Sequence, residues 1–252
     1  MTLKFSIITC TWNSAEFLPE SISSVLNQTY GVAEYIFVDG GSTDGTLDLI
    51  DKVPGNVKVL HNIRGGISNA MNAGLEIATG DIVAHLHSDD FYLHPEVLQE
   101  IADKFNTTGA DWLFGSYAEV IKEQLNTEPY IIQPYSYKSL IKGNFIPHPA
   151  TFIKRELLEK SGFFNINYRY AMDYDLWLRL GKLATPAQIA TPLTAFRCHD
   201  GSLSTSQPLA ALKEDFEIRI SQSGISPLEK LLHYARYFVR KRRVQKRLKV
   251  NA

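Results

Sequence analysis

Apolar and polar positions alternate in blocks along the first half of the chain. Residues 4–10 form a compact apolar run rich in β-branched side chains, which predicts a strand buried on both faces. In residues 15–28 the apolar positions Phe17, Leu18, Ile22, Val25 and Leu26 recur at helical spacing, and Asn13 or Ser14 is placed to cap the start. The pattern then repeats as strand 34–38, helix 46–53, strand 57–61, helix 67–78, strand 81–86 and helix 95–105, the last opened by Pro95. Ala70, Met71, Gly74, Leu75 and Ala78 share one face of helix 67–78. Strands alternating with helical crossovers predict an α/β fold with a mostly parallel sheet covered on both faces. Right-handed crossovers bring the strands' carboxyl ends to one edge, where open α/β sheets bind ligands. Asp39 and the pair Asp89–Asp90 follow strand ends and are expected at that edge.

The second half is less regular. Short strands are predicted within 111–120, another strand over 147–153, and a helix over 155–161 ended by Gly162. Residues 172–180 predict a helix with Leu176, Trp177 and Leu180 on one side, and 195–198 a short strand before a polar loop. There is no internal repeat and no low-complexity linker, so the simplest division is one domain over 1–215 and a helical tail over 216–252.

Composition narrows the class. Of 252 residues 44% are hydrophobic and 21% charged, a balance that excludes general disorder. No apolar run approaches the roughly 20 residues that span a bilayer. The run at 5–8 is too short for a secretory h-region, so no export signal is expected. Two cysteines, Cys10 and Cys198, exclude a disulfide framework and suit a reduced, cytoplasmic setting. The net charge of −1 hides an asymmetry: residues 228–252 carry nine Lys or Arg against Glu229 alone, while the remainder holds 17 basic and 26 acidic residues. An acidic body with a basic tail points the tail at something anionic.

Three acidic motifs carry candidate chemistry. In the loop from Asp39 to Gly45, glycines let backbone approach a ligand and the carboxylate accepts hydrogen bonds from a base or ribose; the competing reading, which such composition often means, is a tight turn closed by the Asp side chain. The spacing is not Gly-x-Gly-x-x-Gly, so no dinucleotide fold is indicated. His87-Ser88-Asp89-Asp90 sets adjacent carboxylates together, which repel unless a cation or proton offsets them. Hard divalent cations favour such oxygen ligands; the competing reading is a solvated loop capping the next helix. Asp173 and Asp175 are about 200° apart around a helix, so one faces the cleft and the other solvent or Arg179 at i+4. For Asp173, an acid stabilising the helix dipole is the plain alternative.

These pieces, in their order and spacing, resemble glycosyltransferase family 2: Ser6 to Asn13, Val38 to Thr46, Gly66 to Gly74, Leu86 to Asp90, His148, Asp173 to Arg179, and Phe196 to Ser204. The resemblance covers about residues 4–204. It implies the GT-A fold, with a nucleotide-sugar half over 1–115 and an acceptor half over 116–215. The Gly66–Asn72 stretch and the His148 segment resemble the branch that assembles O-antigen and exopolysaccharide units. By resemblance, Thr11 and Asp39 hold the base, usually uracil, and Asn69 and Ser88 join the donor site. Asp89 and Asp90 match the motif for Mn²⁺ or Mg²⁺ and the diphosphate. Asp173 matches the catalytic base of inverting members, His148 and Asp175 lie toward donor sugar or acceptor, and Arg197 and His199 belong to a loop that closes over the diphosphate. Two departures stand out: Gly40 where many members have a second Asp, and His87 where many have Asp.

The implied reaction is one displacement with inversion, onto a glycan acceptor carried on a polyprenyl diphosphate. A non-catalytic sugar-nucleotide or glycan-binding module on the same fold is the alternative. A nucleotidyltransferase is weaker, since residues 9–13 lack a Gly-rich basic phosphate loop. In the tail, Leu228, Leu231, Leu232, Ala235, Phe238 and Val239 recur at helical spacing before a cationic stretch. Such a helix suits an anionic membrane interface, which places the protein peripherally on the inner face of the cell membrane. Packing on the domain or on a second subunit, as a homo-oligomer, competes with this. Nucleic-acid binding is not expected, because no basic face accompanies the tail.

Overall fold

The computed structural model describes residues 2–126, 128–198, 207–222 and 226–250. Its first half runs β1 (Phe5–Thr11), α1 (Leu18–Leu26), β2 (Glu34–Asp39), α2 (Thr46–Ile50), β3 (Val57–Leu60), α3 (Ile67–Ile77), β4 (Ile82–His85), β5 (Phe91–Tyr92) and α4 (Val97–Thr108). The second half adds β6 (Trp112–Ile121), β7 (Gln124–Leu125), α5 (Tyr137–Leu140), β8 (Thr151–Lys154), α6 (Arg155–Ser161), α7 (Met172–Leu183) and β9 (Ala187–Cys198). Two helices follow, α8 (Pro208–Ser221) and α9 (Pro227–Val250).

The described strands form one nine-stranded sheet in the order β3-β2-β1-β4-β8-β6-β9-β5, with β7 on β6. Strands β1 to β4 are parallel, as their crossovers require. Beyond β4 the sheet is mixed: β8 runs antiparallel to β4 and β6, β9 parallel to β6, and β5 antiparallel to β9. The expectation of a mostly parallel sheet therefore holds for the first four strands only.

The apolar run of β1 is explained by two cores. Phe5 and Ile7 enter the layer with α1 and α4, while Ile8 and Cys10 enter the layer with α3 and α7. Alternate side chains point to opposite faces, so a strand covered on both is apolar throughout. Helix α3 presses close to the sheet at Gly74, where a Cβ would lie 2.6 Å from Ile8 and 3.2 Å from Val38.

Several elements differ from the sequence reading. Helix α1 begins at Leu18 with no side-chain cap. Asn13 adopts a left-handed φ of 49° and accepts from Thr43 N instead, while the Ser14 carbonyl accepts from Phe17 and Leu18. Residues 111–120 belong to one ten-residue strand, and β9 starts well before 195. In 147–153 a 3₁₀ turn at His148–Ala150 precedes β8, because Pro147 and Pro149 bring no N–H to a ladder. The division at 215/216 falls inside α8, whose Ile218 is fully buried in the core with α7.

Candidate functional site

Asp39 and Thr11 end adjacent strands and are register partners, so both emerge at the carboxyl edge of the sheet. Thr11 Oγ1 donates to Asp39 Oδ1 at 3.1 Å. Ser42 Oγ donates to the same oxygen at 2.5 Å, while the Gly41 and Ser42 amides donate to Oδ2 at 2.7 and 2.9 Å. Burial pushes the carboxyl up, but these bonds together outweigh it and hold it below its ordinary value. A carboxylate has about four acceptor positions. All four are engaged here, so Asp39 shapes the loop after β2. Beside it the Trp12 ring is 71% exposed, and a Cβ on Gly40 would touch that ring at 3.4 Å.

Three loops are tied at this edge. Ser88 Oγ donates to Ser14 Oγ at 2.9 Å, which also accepts from Trp12 N at 3.2 Å. Ser14 N donates to Thr46 Oγ1 at 2.8 Å, and Asn13 N to Ser42 Oγ at 2.9 Å. Asn69, in the first turn of α3, donates to the Arg64 carbonyl at 2.6 Å and so fixes the approach to that helix.

The Asp89–Asp90 pair leaves the sheet just past β4. Asp90 is 1% exposed; its Oδ1 accepts from Arg197 N at 3.1 Å, and its Oδ2 is buried with no hydrogen-bond partner among the described residues. Burial first, and then the charge of Asp89, raise its carboxyl well above the usual range. A buried carboxylate oxygen facing a second carboxylate fits a divalent cation, which would offset both charges. Among the described residues no set of three His, Cys, Asp or Glu is arranged around a metal, so further ligands would come from substrate phosphate and water. Arg197 reaches this loop through its backbone N–H. Its guanidinium, however, is taken by Glu20 and Glu123, lies 4.7 Å from the Phe17 ring centre, and touches the Asp89 carbonyl at 3.3 Å. It braces the carboxylate loop from behind. His199 lies outside the described residues.

On the far wall, Asp173 sits in the first turn of α7. Its Oδ2 accepts from Asn144 Nδ2 at 3.1 Å and its Oδ1 from Tyr174 N at 2.7 Å. Burial pushes its carboxyl up to about 6, against the lowering effect of those bonds and with help from the charge of Asp215. Asp175 is turned away as its helical phase requires, paired with Arg179 at 2.9 Å. Between the two walls stand His87 and His148, with ring centres 5.1 Å apart, and His148 lies 5.7 Å from Trp177 on α7. Burial lowers both imidazoles, so they are neutral near pH 7. The structure thus brings Thr11, Asp39, Ser88, Asp89, Asp90 and Arg197 together at one edge, and ring contacts through His87 and His148 join that edge to Trp177 on the helix that carries Asp173.

The sequence reading missed Trp12, Asn144, Glu214 and Asp215. Only Trp12 had a signal, an aromatic residue in a polar loop directly after a strand. The other three act through contacts distant in sequence.

Comparison with known proteins agrees with this arrangement. The profile of the family described as Glycosyl transferase family 2 matches residues 6–168. An uncharacterized glycosyltransferase of Haemophilus influenzae is 30% identical over 217 residues, covering 79% of this chain and 67% of that protein. The S. aureus TarS fragment 1–349, solved in complex with UDP-GlcNAc, superposes with a TM-score of 0.74 at 20% identity, covering 94% of this chain and 72% of that one. The mannosyltransferase PcManGT of Pyrobaculum calidifontis, solved with GDP-Man and Mn²⁺, gives 0.68 at 18% identity, covering 94% and 70%. These structural likenesses show the shared GT-A fold.

Proposed function

The chain belongs to glycosyltransferase family 2, and on that footing we propose that it is an inverting, metal-dependent enzyme moving a sugar from a UDP-sugar donor to a hydroxyl of a glycan acceptor. The observation that carries this reading is Asp173, a half-buried carboxylate held by Asn144 and poised at about 6. A base with that proton affinity is ionised near pH 7 and still strong enough to take a proton.

In the proposed reaction Asp173 accepts the proton of the acceptor hydroxyl. The acceptor oxygen forms a bond to the anomeric carbon as the bond to the donor diphosphate breaks on the opposite face. One displacement inverts that centre. Asp89 and Asp90 would hold Mn²⁺ or Mg²⁺, which supplies positive charge against the leaving diphosphate. Thr11 and the loop closed by Asp39 border the base, with the exposed Trp12 ring beside them. Asn69 and Ser88 hold the loops around the donor, Arg197 holds the carboxylate loop, and His148 faces the sugar. Asp175 acts at a distance, by fixing Arg179.

The acceptor is proposed to be carried on a polyprenyl diphosphate in O-antigen or exopolysaccharide assembly, presented at an anionic membrane. Support comes from α9. Leu228, Leu231, Leu232, Ala235, Phe238 and Val239 fall within an arc of about 120°. That arc is exposed, at 65% for Leu231, while His233 on the opposite side is 4% exposed and Phe216 of α8 stacks on Tyr237 at 4.4 Å. The apolar stripe thus faces away from the domain, and the cationic stretch follows it. No helix among the described residues is long and apolar enough to cross a membrane, so the contact is peripheral in this reading.

The test is a panel of nucleotide-sugars with Mn²⁺, scored by release of the nucleoside diphosphate. Turnover of a UDP-sugar supports the reading; turnover of no donor, with and without acceptor lipid, contradicts it.

A further inference from the structure

We propose that Glu214 on α8 is a positioning residue of the transfer site, fixing the start of α7 and with it the carboxylate of Asp173. The inference rests on the reading of Asp173 as the base.

Three successive backbone amides lead into α7. The Glu214 carboxylate accepts from all of them: Arg169 N at 3.0 and 3.1 Å, Tyr170 N at 2.6 Å and Ala171 N at 3.0 Å. Ala171 is the N-cap residue and has no side-chain oxygen to satisfy that end. Amides at a helix start find no partner within the helix and favour an anion, here supplied by another helix. Asp173 lies two residues past the last amide bound, so the placement of this strap sets the placement of its carboxylate.

Helix α8 is a firm support. Ile218 is fully buried in the core with Tyr174 and Leu176 of α7. Arg219, 1% exposed, bonds Asp215 at 2.5 Å and lies 5.9 Å from the Tyr174 ring centre. Other ties of the segment before α7 are Asn72 to Phe164 in both directions, Ser68 to the Tyr168 carbonyl, and Arg179 to the carbonyls of Ser161, Gly162 and Phe163. None of these reaches past residue 168. From Arg169 to Ala171 the backbone amides are held by Glu214.

The charged groups around Asp173 also come through α8. Asp215 raises its proton affinity, and the charges of Arg219 and of Arg240 on α9 face Asp215 in turn. Asn144 is the neutral partner on the other side.

A misplaced base costs about 100-fold per ångström in transfer, with little effect on donor binding, because Thr11, Asp39, Asn69, Asp89, Asp90 and Arg197 lie on β1, β2, α3, the loop after β4 and β9, not on α7 or α8. The experiment measures kcat, donor KM and melting temperature for Glu214→Gln and Glu214→Ala, alone and combined with Asp173→Asn. We expect kcat to fall roughly 10-fold for Gln and 100-fold for Ala, with donor KM within about twofold. We also expect the Glu214→Ala, Asp173→Asn double variant to be no slower than Asp173→Asn, since a residue acting through the base adds nothing once the base is gone. A wild-type kcat in Glu214→Ala overturns the proposal, as does a double variant whose losses multiply. If the Ala variant does not fold, an unchanged kcat in Glu214→Gln overturns it. A mild Asp173→Asn, by contrast, removes the base assignment itself.

Discussion

The imidazoles of His87 and His148 stand 5.1 Å apart, and through them the carboxylate loop after β4 touches the helix that carries Asp173. His148 also stacks on Phe164 at 5.7 Å with 15° between the ring planes, so His87, His148 and Phe164 form one aromatic cluster. Replacing His148 by Phe keeps an aromatic ring, a larger one, and removes both nitrogens. The expected stability loss is about 1–3 kcal/mol, as for overpacking. Transfer should fall at least tenfold, since the proposed sugar contact is lost. Thermal melting and steady-state transfer on the same preparation check both.

Asp90 illustrates stability set against function. Its buried Oδ2 and the adjacent Asp89 charge make its ionised form costly when no cation is bound. Asp90→Asn is therefore expected to leave the melting temperature of the metal-free protein unchanged or raised, while donor turnover with Mn²⁺ falls below detection. Comparing melting with and without Mn²⁺ adds a sharper check: the wild type should be stabilised by the ion and the variant should not.

Gly74 is needed for packing. A methyl group there would stand 2.6 Å from Ile8 Cγ2 and 3.2 Å from Val38, across the α3–sheet contact. Helix propensity favours Ala by about 1 kcal/mol, but overpacking costs about 1–3 kcal/mol. Gly74→Ala should thus destabilise on balance, as a lower denaturant midpoint with unchanged slope.

The half of the molecule that places Asp39, Asp89 and Asp90 was legible in the sequence, because β1 to β4 and their helices carry clean periods and both of its acidic motifs follow a strand. The rest was hidden by packing between distant segments. Strand β9 begins with half-exposed residues, Ala187 to Ile189, before Pro192, and no alternation marks it. Helix α8 buries Phe216, Ile218 and Arg219, and a buried Arg reads as surface in a one-dimensional pattern. The pairing of Arg197 with Glu20 and Glu123, far away in sequence, left no local signal either.

The outward stripe of α9 can be tested without disturbing the fold, since its side chains are exposed. Leu228→Ser, Leu231→Ser and Phe238→Ser together should leave donor hydrolysis and melting unchanged and abolish sedimentation with anionic vesicles at low salt. Arg242→Glu with Arg243→Glu should weaken it too, at about 1 kcal/mol for each lost basic residue. Equal sedimentation of all forms would assign the stripe to protein contact.

The central claim is that Asp173 is the base, and its most direct measurement is the pH profile of transfer for the wild type and for Asp173→Asn. Burial raises this carboxyl to about 6, and the base acts only when ionised, so wild-type kcat should hold above that pH and fall as pH drops through it. The variant keeps the shape and loses the proton acceptor, so its kcat should be about 10²–10⁴-fold lower, with the acid limb near 6 gone and donor binding retained. A variant that keeps the wild-type rate, or the same acid limb, contradicts the account.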